Sequence, residues 1–591
     1  MSEDRSEKKL ITDILVIGGG MAGLFAAIKA REQGLDVILT DKAHAGRSGG
    51  THYAEGDIQF FRPKERGHKL KEWVDIISTR TEYMNDPEWN EIVLREVEDR
   101  YNDLVSWGIK FYEEDGAFVV GGPHMFSDAP AAYEIISMRN REYAPTLRRK
   151  AQESGVRIFD RIMSCELLKQ DGKIVGMVGF HTTSGHVHIF KAKATVMAVG
   201  GGSDYKASAI NTDYWTGDGE GMAYRAGAEI AGKEFGGGGT VRLTTRAMIR
   251  ERERIYTGKG ISGKILDVTE QFPYVTIQSG WLWPILTSDG MPVTNPAWEV
   301  HRGKAPLYYD CDAMSPRLEK WLRSYFRRVG SAEPDKIGLE FFEGGKIRYS
   351  AARGALASAH GGSGIWPVNK YCASALPGLY AAGGSCATMV SGATYGGMGT
   401  GLSHAMVTGT RAARAAVEYA SNSKEVTIDD AELARVRDIV YAPIERKGGF
   451  SPAWLTQALQ GTIVPYYVFA VKHEKRLQAA LTFVEFMKSH LVPLLIAKDP
   501  HEWRMAHETR NMVLNAEMQL RASLFRTESR GLHFREDYPR RDDPAWLAWV
   551  KLRDVSGEMQ VSREPIPERF WPDLSKPYEE RYPAPVPSSL E

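Results

Sequence analysis

"ITDILVIGGGMAGLFAAIKAREQGLDVILTDKA", Ile11 to Ala43, begins with an apolar, β-rich run over Ile14–Ile17. Gly18, Gly20 and Gly23 follow in G-x-G-x-x-G spacing, then a helix-forming stretch and a second strand, "DVILTDK", which reaches Asp41. Each glycine has its own task. Gly18 makes the tight turn, Gly20 lets the backbone approach a pyrophosphate, and Gly23 lets helix and strand pack closely. The helix that opens at Met21 and Ala22 offers backbone N–H groups to that anion. Asp41, followed by Lys42, stands eighteen positions after Gly23, where a carboxylate can accept hydrogen bonds from a ribose diol. Strand, helix and acid together predict dinucleotide binding, without separating FAD from NAD. A ligand-free glycine turn in a βαβ unit is the plainer alternative.

Two later stretches have the same character. "KATVMAVGGGSDY" (Lys193–Tyr205) is a strand running into the glycines Gly200 and Gly201. Soon after, "TGDGEGMAYRAGAEIAGKEF" (Thr216–Phe235) sets Asp218 before an alanine-rich helix. There a carboxylate can meet a ribityl or pyrophosphate group, or Thr216 or Asp218 can cap the helix. "GLYAAGGSCATMVSGATYGGMGTGLSHAMVTGTRAARAAVEYA" (Gly378–Ala420) leads a short strand into Gly383 and Gly384 and then a helix starting near Gly399, Thr400 and Leu402. The positive end of that helix suits the C2=O edge of a reduced isoalloxazine. A nucleotide fold split between the start of the chain and this distant segment suits FAD better than NAD.

The bulk numbers narrow the rest. A chain of 591 residues exceeds one hydrophobic core and predicts two to four domains. Lys+Arg and Asp+Glu both total 75, which argues against a general nucleic-acid or membrane-surface binder. The cysteines Cys165, Cys311, Cys372 and Cys386 form no CxxC pair, so neither an iron–sulfur cluster nor a structural metal is expected within the chain. Few cysteines suit a reducing compartment. No secretory h-region and no long apolar run is present, so a cytoplasmic location without a membrane span is expected. There are no internal repeats.

These blocks resemble the flavoprotein subunits of the succinate dehydrogenase/fumarate reductase family, which includes L-aspartate oxidase and the alpha subunit of adenylylsulfate reductase. A fourth block, "RASLFRTESRGLHFREDYPRRDD" (Arg521–Asp543), resembles that family's C-terminal signature. Without the family it reads as an exposed helix end of mixed charge. The resemblance spans roughly residues 11–550 and implies an α/β fold. It has a Rossmann-like FAD-binding domain (1–240 plus 345–430), an inserted α+β capping domain (241–345) and a C-terminal helical domain (431–540). The remaining 541–591, rich in Pro and aromatics, is expected as an extended C-terminal tail.

"GRSGGTHYAEGD" (46–57) bears on how FAD is held. Covalent family members read Ser-His-Thr, small residues, then Gln-Gly, with flavin bonded to the histidine. Aligned on Thr51, that histidine falls on Gly50, after Ser48 and Gly49; His52 lies two positions beyond it. L-aspartate oxidase resembles this run more closely, and FAD is therefore expected to be non-covalent. His52 is left as a polar group near flavin N5 or substrate, or as a loop side chain.

The site departs from the dicarboxylate members. After "GKEF" comes "GGGGTVRLTT" in place of His-Pro-Thr. Tyr395 stands where the family's substrate arginine would be, and Gly384 where a glutamate is common. The family's substrate-contacting histidine falls on His360, with Arg353 seven residues upstream. In the capping region, cations run from Arg242 to Lys264, and none is assigned a role. The resemblance implies an FAD-dependent oxidoreductase acting on a C–C or C=C bond next to a carbonyl or carboxylate. Its small-molecule substrate is expected to differ from fumarate and succinate. Two alternatives stay open: an adenylylsulfate-reductase-alpha-like subunit exchanging electrons with a separate iron–sulfur or other electron-transfer protein, and an L-aspartate-oxidase-like oxidase. A homo-oligomer is also left open.

Overall fold

The computed structural model describes residues 7–54, 56–114, 117–118, 134–139, 142–202, 205, 215–235, 285–287, 289, 292–293, 302–304, 307–310, 346–349, 363–394 and 399–582. Its centre is a seven-stranded sheet. The strands are β1 (Lys8–Ile17), β2 (Val37–Thr40), β3 (Arg157–Phe159), β4 (Ile162–Gln170), β5 (Lys173–His181), β6 (Val187–Met197) and β7 (Leu379–Ala381). β3, β2, β1 and β6 run parallel in that order, β7 joins β6 in parallel, and β5 and β4 extend the sheet antiparallel. Ile14, Leu15, Val16 and Ile17 are all buried. A continuous apolar run of this kind marks a parallel strand covered on both faces.

One cover is α1 (Met21–Arg31), buried almost all round. A helix apolar on every side needs neighbours on every side. One is the sheet. Another is the helix Thr400–Ser421, in which Gly409 leaves room for the Ala22 carbonyl; a Cβ there would sit 2.4 Å from that oxygen.

Residues 430–525 are mainly helical, with Asp430–Glu445, Pro452–Ile463, Glu474–Phe486 and Pro500–Phe525 as main members. Leu455, Leu459, Leu477, Leu481, Val484, Met512 and Leu520 form their shared core. Pro500 opens the longest helix at a position whose N–H has no helical partner, and the Asp499 carboxylate accepts from Glu502 N. Short strands at Ile285–Leu286, Pro292–Val293, Leu307–Asp310 and Lys346–Tyr349 make an antiparallel sheet in the inserted region.

The tail expected to be extended folds instead. Ala548–Val555 and Glu558–Pro565 form a hairpin that pairs with Ile230–Ala231, itself paired with Gly364–Ile365. Ser556 and Gly557 both take positive φ, 56° and 88°, as a tight two-residue hairpin turn needs. Trp549, Val550 and Leu552 are buried, and Trp549 donates to the Met84 carbonyl. Only the last described stretch wraps as an arm; it ends at Tyr582, whose hydroxyl contacts Arg530 and Asp543.

Candidate active site

Three glycine turns leave the carboxyl ends of β1, β6 and β7, which are neighbours in the sheet. Gly18 has φ +108°, donates to the Thr40 carbonyl, and would bring a Cβ to 2.3 Å from the Ala198 oxygen. A Cβ at Gly23 would lie 1.8 Å from the Gly18 oxygen, so helix and strand meet there in backbone contact. At Gly384 a Cβ would lie 3.1 Å from Gly201 N, a tight contact that a side chain could take only if the neighbouring turn gave by a few tenths of an ångström. A Cβ on Gly383 would meet the Ala22 Cβ at 2.8 Å. Gly20, the N-cap of α1, uses no side chain to cap it. Backbone exposed at three converging turns, beside a helix N-terminus, fits the pyrophosphate and adjoining groups of FAD.

Asp41 and Lys42 sit at the end of β2. The Asp41 carboxylate accepts from Gly19 N (2.8 Å), Ala43 N (2.8 Å) and the Ser48 hydroxyl (3.2 Å). Burial raises its pKa, partly offset by those N–H bonds. Ser48 also donates to the His44 carbonyl, so it fixes the loop that follows. Lys42 reaches Asp218 at 2.7 Å, Glu508 at 2.9 Å and the Thr216 hydroxyl at 2.8 Å. Burial acts against its charge, but the carboxylates outweigh it and the pKa is raised. Asp218 also accepts from Thr216 Oγ1 and Asn511 Nδ2. Neither Thr216 nor Asp218 caps the helix Asp218–Ala226; Gly217, with φ 73°, is its N-cap. The cluster joins β2 to the longest helix of the C-terminal region.

α2 (Gly49–Tyr53) carries the residues of the covalent motif. The Thr51 hydroxyl accepts the Met21 N–H at 2.8 Å, coupling α2 to the start of α1. Tyr143 donates to the Thr51 and Ala54 carbonyls. Gly50 faces Trp215: a Cβ at position 50 would lie 2.2 Å from Trp215 Cζ2 and 2.9 Å from Cη2. The same indole lies 3.2 Å from where a Cβ on Gly200 would be. Trp215 and Tyr143 escape sequence reasoning. Trp215 directly precedes the Thr216–Asp218 motif, a position whose partners only the fold reveals. His52 lines a cavity of about 840 Å³ with Arg47, Lys110, Arg139, Tyr143 and Arg149, and none of the glycine turns lines it.

The helix Thr400–Ser421 begins after Gly399, whose φ is +80°. Gln59 Nε2 donates to Thr400 Oγ1, and Gln59 N to Ser403 Oγ, which fixes this N-terminus on the strand Asp57–Phe60. Leu402 is buried. His360, Arg353 and Tyr395, and the cations Arg242 to Lys264, lie outside the described residues.

The middle of the block Arg521–Asp543 is an interior ion network, unlike the exposed helix end its charges alone suggest. Arg526, Arg530 and Arg535 are fully buried. Arg526 pairs with Glu234 and Glu528, Arg530 with Glu528 and Asp543, and Arg535 with Asp537. Beside them Lys472 Nζ contacts the Glu234 carbonyl at 2.7 Å and His533 Nδ1 at 3.1 Å. Burial, aided by Arg535 and Arg526, brings the Lys472 pKa down to about 7.

Known proteins agree with this architecture. Residues 13–237 match the FAD binding domain family and residues 460–581 the fumarate reductase flavoprotein C-terminal family. An uncharacterized FAD-dependent oxidoreductase of Methanocaldococcus jannaschii is 25% identical, over 89% of this chain and 94% of that protein. One subunit of the fumarate reductase (CoM/CoB) of Methanothermobacter marburgensis is 25% identical, over 91% and 96%. The structure of adenylylsulfate reductase from Archaeoglobus fulgidus superposes with a TM-score of 0.71, covering 95% of this chain and 97% of that one at 22% identity, and shares the fold. The chain therefore belongs to the succinate dehydrogenase/fumarate reductase flavoprotein family and is an FAD-dependent oxidoreductase.

Proposed function

We propose that this oxidoreductase holds FAD without a covalent bond and acts on a C–C or C=C bond adjacent to a carbonyl or carboxylate, with a substrate other than fumarate or succinate. The contact between Gly50 and Trp215 carries the first part. The position aligned with the linking histidine has no side chain, and the indole fills the room one would need. FAD supplies hydride donor and acceptor chemistry when bound. The turns at Gly18, Gly20 and Gly23, at Gly200 and Gly201, and at Gly383 and Gly384 hold it by backbone. Met21, Ala22, Thr51, Thr400 and Leu402 complete the walls. Asp41, Lys42 and Asp218 order the loops that carry them. For the substrate we assign orienting roles to His360, Tyr395 and Arg353. A phenol at 395 in place of a guanidinium favours a substrate with fewer carboxylates or a larger, aromatic one.

The test is anaerobic. Enzyme with pre-reduced flavin is mixed with a panel of enoates and cyclic enones, and return of the oxidised absorbance band is followed. Rapid reoxidation by one compound establishes C=C reduction; silence across the panel with fast reoxidation by air sinks it in favour of an oxidase. A second reading is a flavoprotein component served by a separate electron carrier. Its support is that the M. marburgensis relative is named as one subunit of its enzyme.

A further inference from the structure

The helix Glu474–Phe486 is apolar on two sides. Leu477, Leu481 and Val484 turn inward to the helical core, as in any amphipathic helix. The outer side of such a helix is ordinarily charged, and here it is not. Between Arg476 and Ala497 ten residues are exposed, and only Lys488 among them is a lysine, arginine, aspartate or glutamate. Its ammonium is held by Glu517 at 2.7 Å. The helix Asp430–Glu445 shows the ordinary pattern, with four of its six exposed residues charged. Phe483 and Phe486 are each 44% exposed. Their rings lie 6.3 Å apart and nearly parallel, and His490 stacks on Phe486 at 4.9 Å. Phe450 carries the patch onto the helix Pro452–Ile463: it donates its N–H to the Leu494 carbonyl and stacks on Trp454 at 5.4 Å. At the other end the Tyr467 carbonyl accepts from Arg476. Five of the eleven large apolar or aromatic side chains that stay exposed among the described residues thus gather within 454–494.

Exposures near 45%, on side chains of which the aromatics bury roughly 150–250 Å² when covered, leave about 90 Å² on each and about 450 Å² in all. That is as large as the main apolar patch of a typical soluble monomer, and such patches are often functional. It also supplies about half of the ~800 Å² per partner in a standard interface, before the flanking Ala479, Thr482 and Pro493 are added. The lack of free charge defines the partner. A strongly acidic or basic protein would meet no counter-charge, and an anionic membrane would meet no free cation. A second copy fits, because the face complements itself. Consider two antiparallel copies of the helix about a two-fold axis between Thr482 and Phe483. The exposed Ala479 then stands level with Phe486 of the partner subunit, and Thr482 with Phe483 of the partner subunit, so each small residue opposes a large one. The charged start of the helix, at Glu474 and Lys475, falls outside this aromatic centre. We propose that this face joins two copies of the chain in an antiparallel, two-fold dimer.

Sedimentation velocity of the FAD-loaded full chain, from about 0.1 to about 50 μM, reads the state. We expect monomer to give way to dimer by about 10 μM, the weak end for an interface of this size. The midpoint should not move between low and high salt, because no ion pair holds the contact. Phe483→Glu/Phe486→Glu sets like charges around the axis and should raise the midpoint at least about 100-fold, leaving monomer throughout. FAD content and melting temperature should stay as they were, since both side chains lie at the surface. Two cysteine variants read the arrangement against the cross-linking background of the parent chain. Thr482→Cys, beside the axis, should cross-link to its own copy on mild oxidation. Lys475→Cys, about 22 Å from its copy along the paired helices, should not. A monomer at every concentration overturns the dimer. So does self-association that ignores the double variant, or cross-linking through Lys475→Cys and not Thr482→Cys. A monomer that binds phosphatidylcholine vesicles, and loses them in the double variant, makes this a lipid-facing surface and refutes pairing.

Discussion

Gly50→Ala is a one-methyl perturbation with a calculable outcome. Gly50 lies inside α2 and has no positive φ, so alanine meets no backbone strain and gains in helix propensity, by about 1 kcal/mol. Against that stands the indole. The new Cβ would be 2.2 Å from Cζ2, 2.9 Å from Cη2 and 3.2 Å from Cε2 of Trp215, where carbon atoms ordinarily keep about 3.5–4.0 Å. Overpacking of this kind costs about 1–3 kcal/mol. If the strain falls on the bound state, FAD affinity drops between about 5-fold and 150-fold, at 1.4 kcal/mol per decade. Trp215→Leu removes the atoms that are struck, so the alanine should be nearly harmless in that background. The two sites should show a coupling of about 1–3 kcal/mol in a double-mutant cycle. FAD binding to the apoenzyme, titrated by quenching of flavin fluorescence across wild type, both single variants and the double variant, gives every corner of the cycle. Undiminished affinity in Gly50→Ala, or an equal loss in the Trp215→Leu background, would refute the steric argument.

Other outcomes follow from the same geometry. Gly23→Ala puts a methyl 1.8 Å from a backbone oxygen that cannot retreat; it should abolish FAD retention through gel filtration and lower the melting temperature more than Gly50→Ala does. Lys42→Met leaves Asp218 and Glu508 facing each other without their shared cation, at side-chain exposures of 10% and 0%. Breaking such a buried pair costs about 3–5 kcal/mol, measurable as a lower denaturant midpoint; a neutral substitution would show the cluster to be dispensable. Lys472 has a pKa of about 7 in the folded protein against an ordinary 10.5. Between those values the unfolded chain holds a proton that the folded chain has released. Stability from this group therefore rises with pH across the window, by up to about 1.4 kcal/mol per unit. Lys472→Met should remove that slope, gaining most on the parent near pH 7 and least near pH 10; parallel stability–pH curves would contradict the shift.

The parts legible in the sequence are those governed by short-range sterics. Gly23 reports its environment because the atom its Cβ would strike, the Gly18 oxygen, lies within one β-turn-α unit. Gly18 is legible through the turn its positive φ serves, although its clash is with the distant Ala198, and β1 shows its burial in four consecutive apolar residues. The roles of Trp215 and Tyr143 come from contacts with Gly50 and Thr51 far away in the chain, and no local pattern encodes them. Arg526 and Arg530 read as surface because isolated arginines are usually solvated. Their buried partners, Glu234 and Asp543, are found only once the chain has folded. The hairpin Ala548–Pro565 was masked by composition: prolines and aromatics suggested an arm, while the Ser556–Gly557 turn marked a hairpin. Asp41 shows the limit from the other side. Its position was readable, but its carboxylate also orders Gly19, Ala43 and Ser48.

The parallel seating of Leu379–Ala381 beside Val187–Met197, and of Thr400–Ser421 on Met21–Arg31, also sets a timetable. During synthesis the first glycine turn emerges early, yet its walls are complete only when residue 421 has left the ribosome. At roughly 5–20 residues per second that interval is about 20–80 s. Throughout it, α1 has an apolar side that nothing native covers, the kind of surface chaperones hold. Cofactor capture therefore comes late in the life of the nascent chain, and the flavin content of a preparation measures how many molecules finished folding.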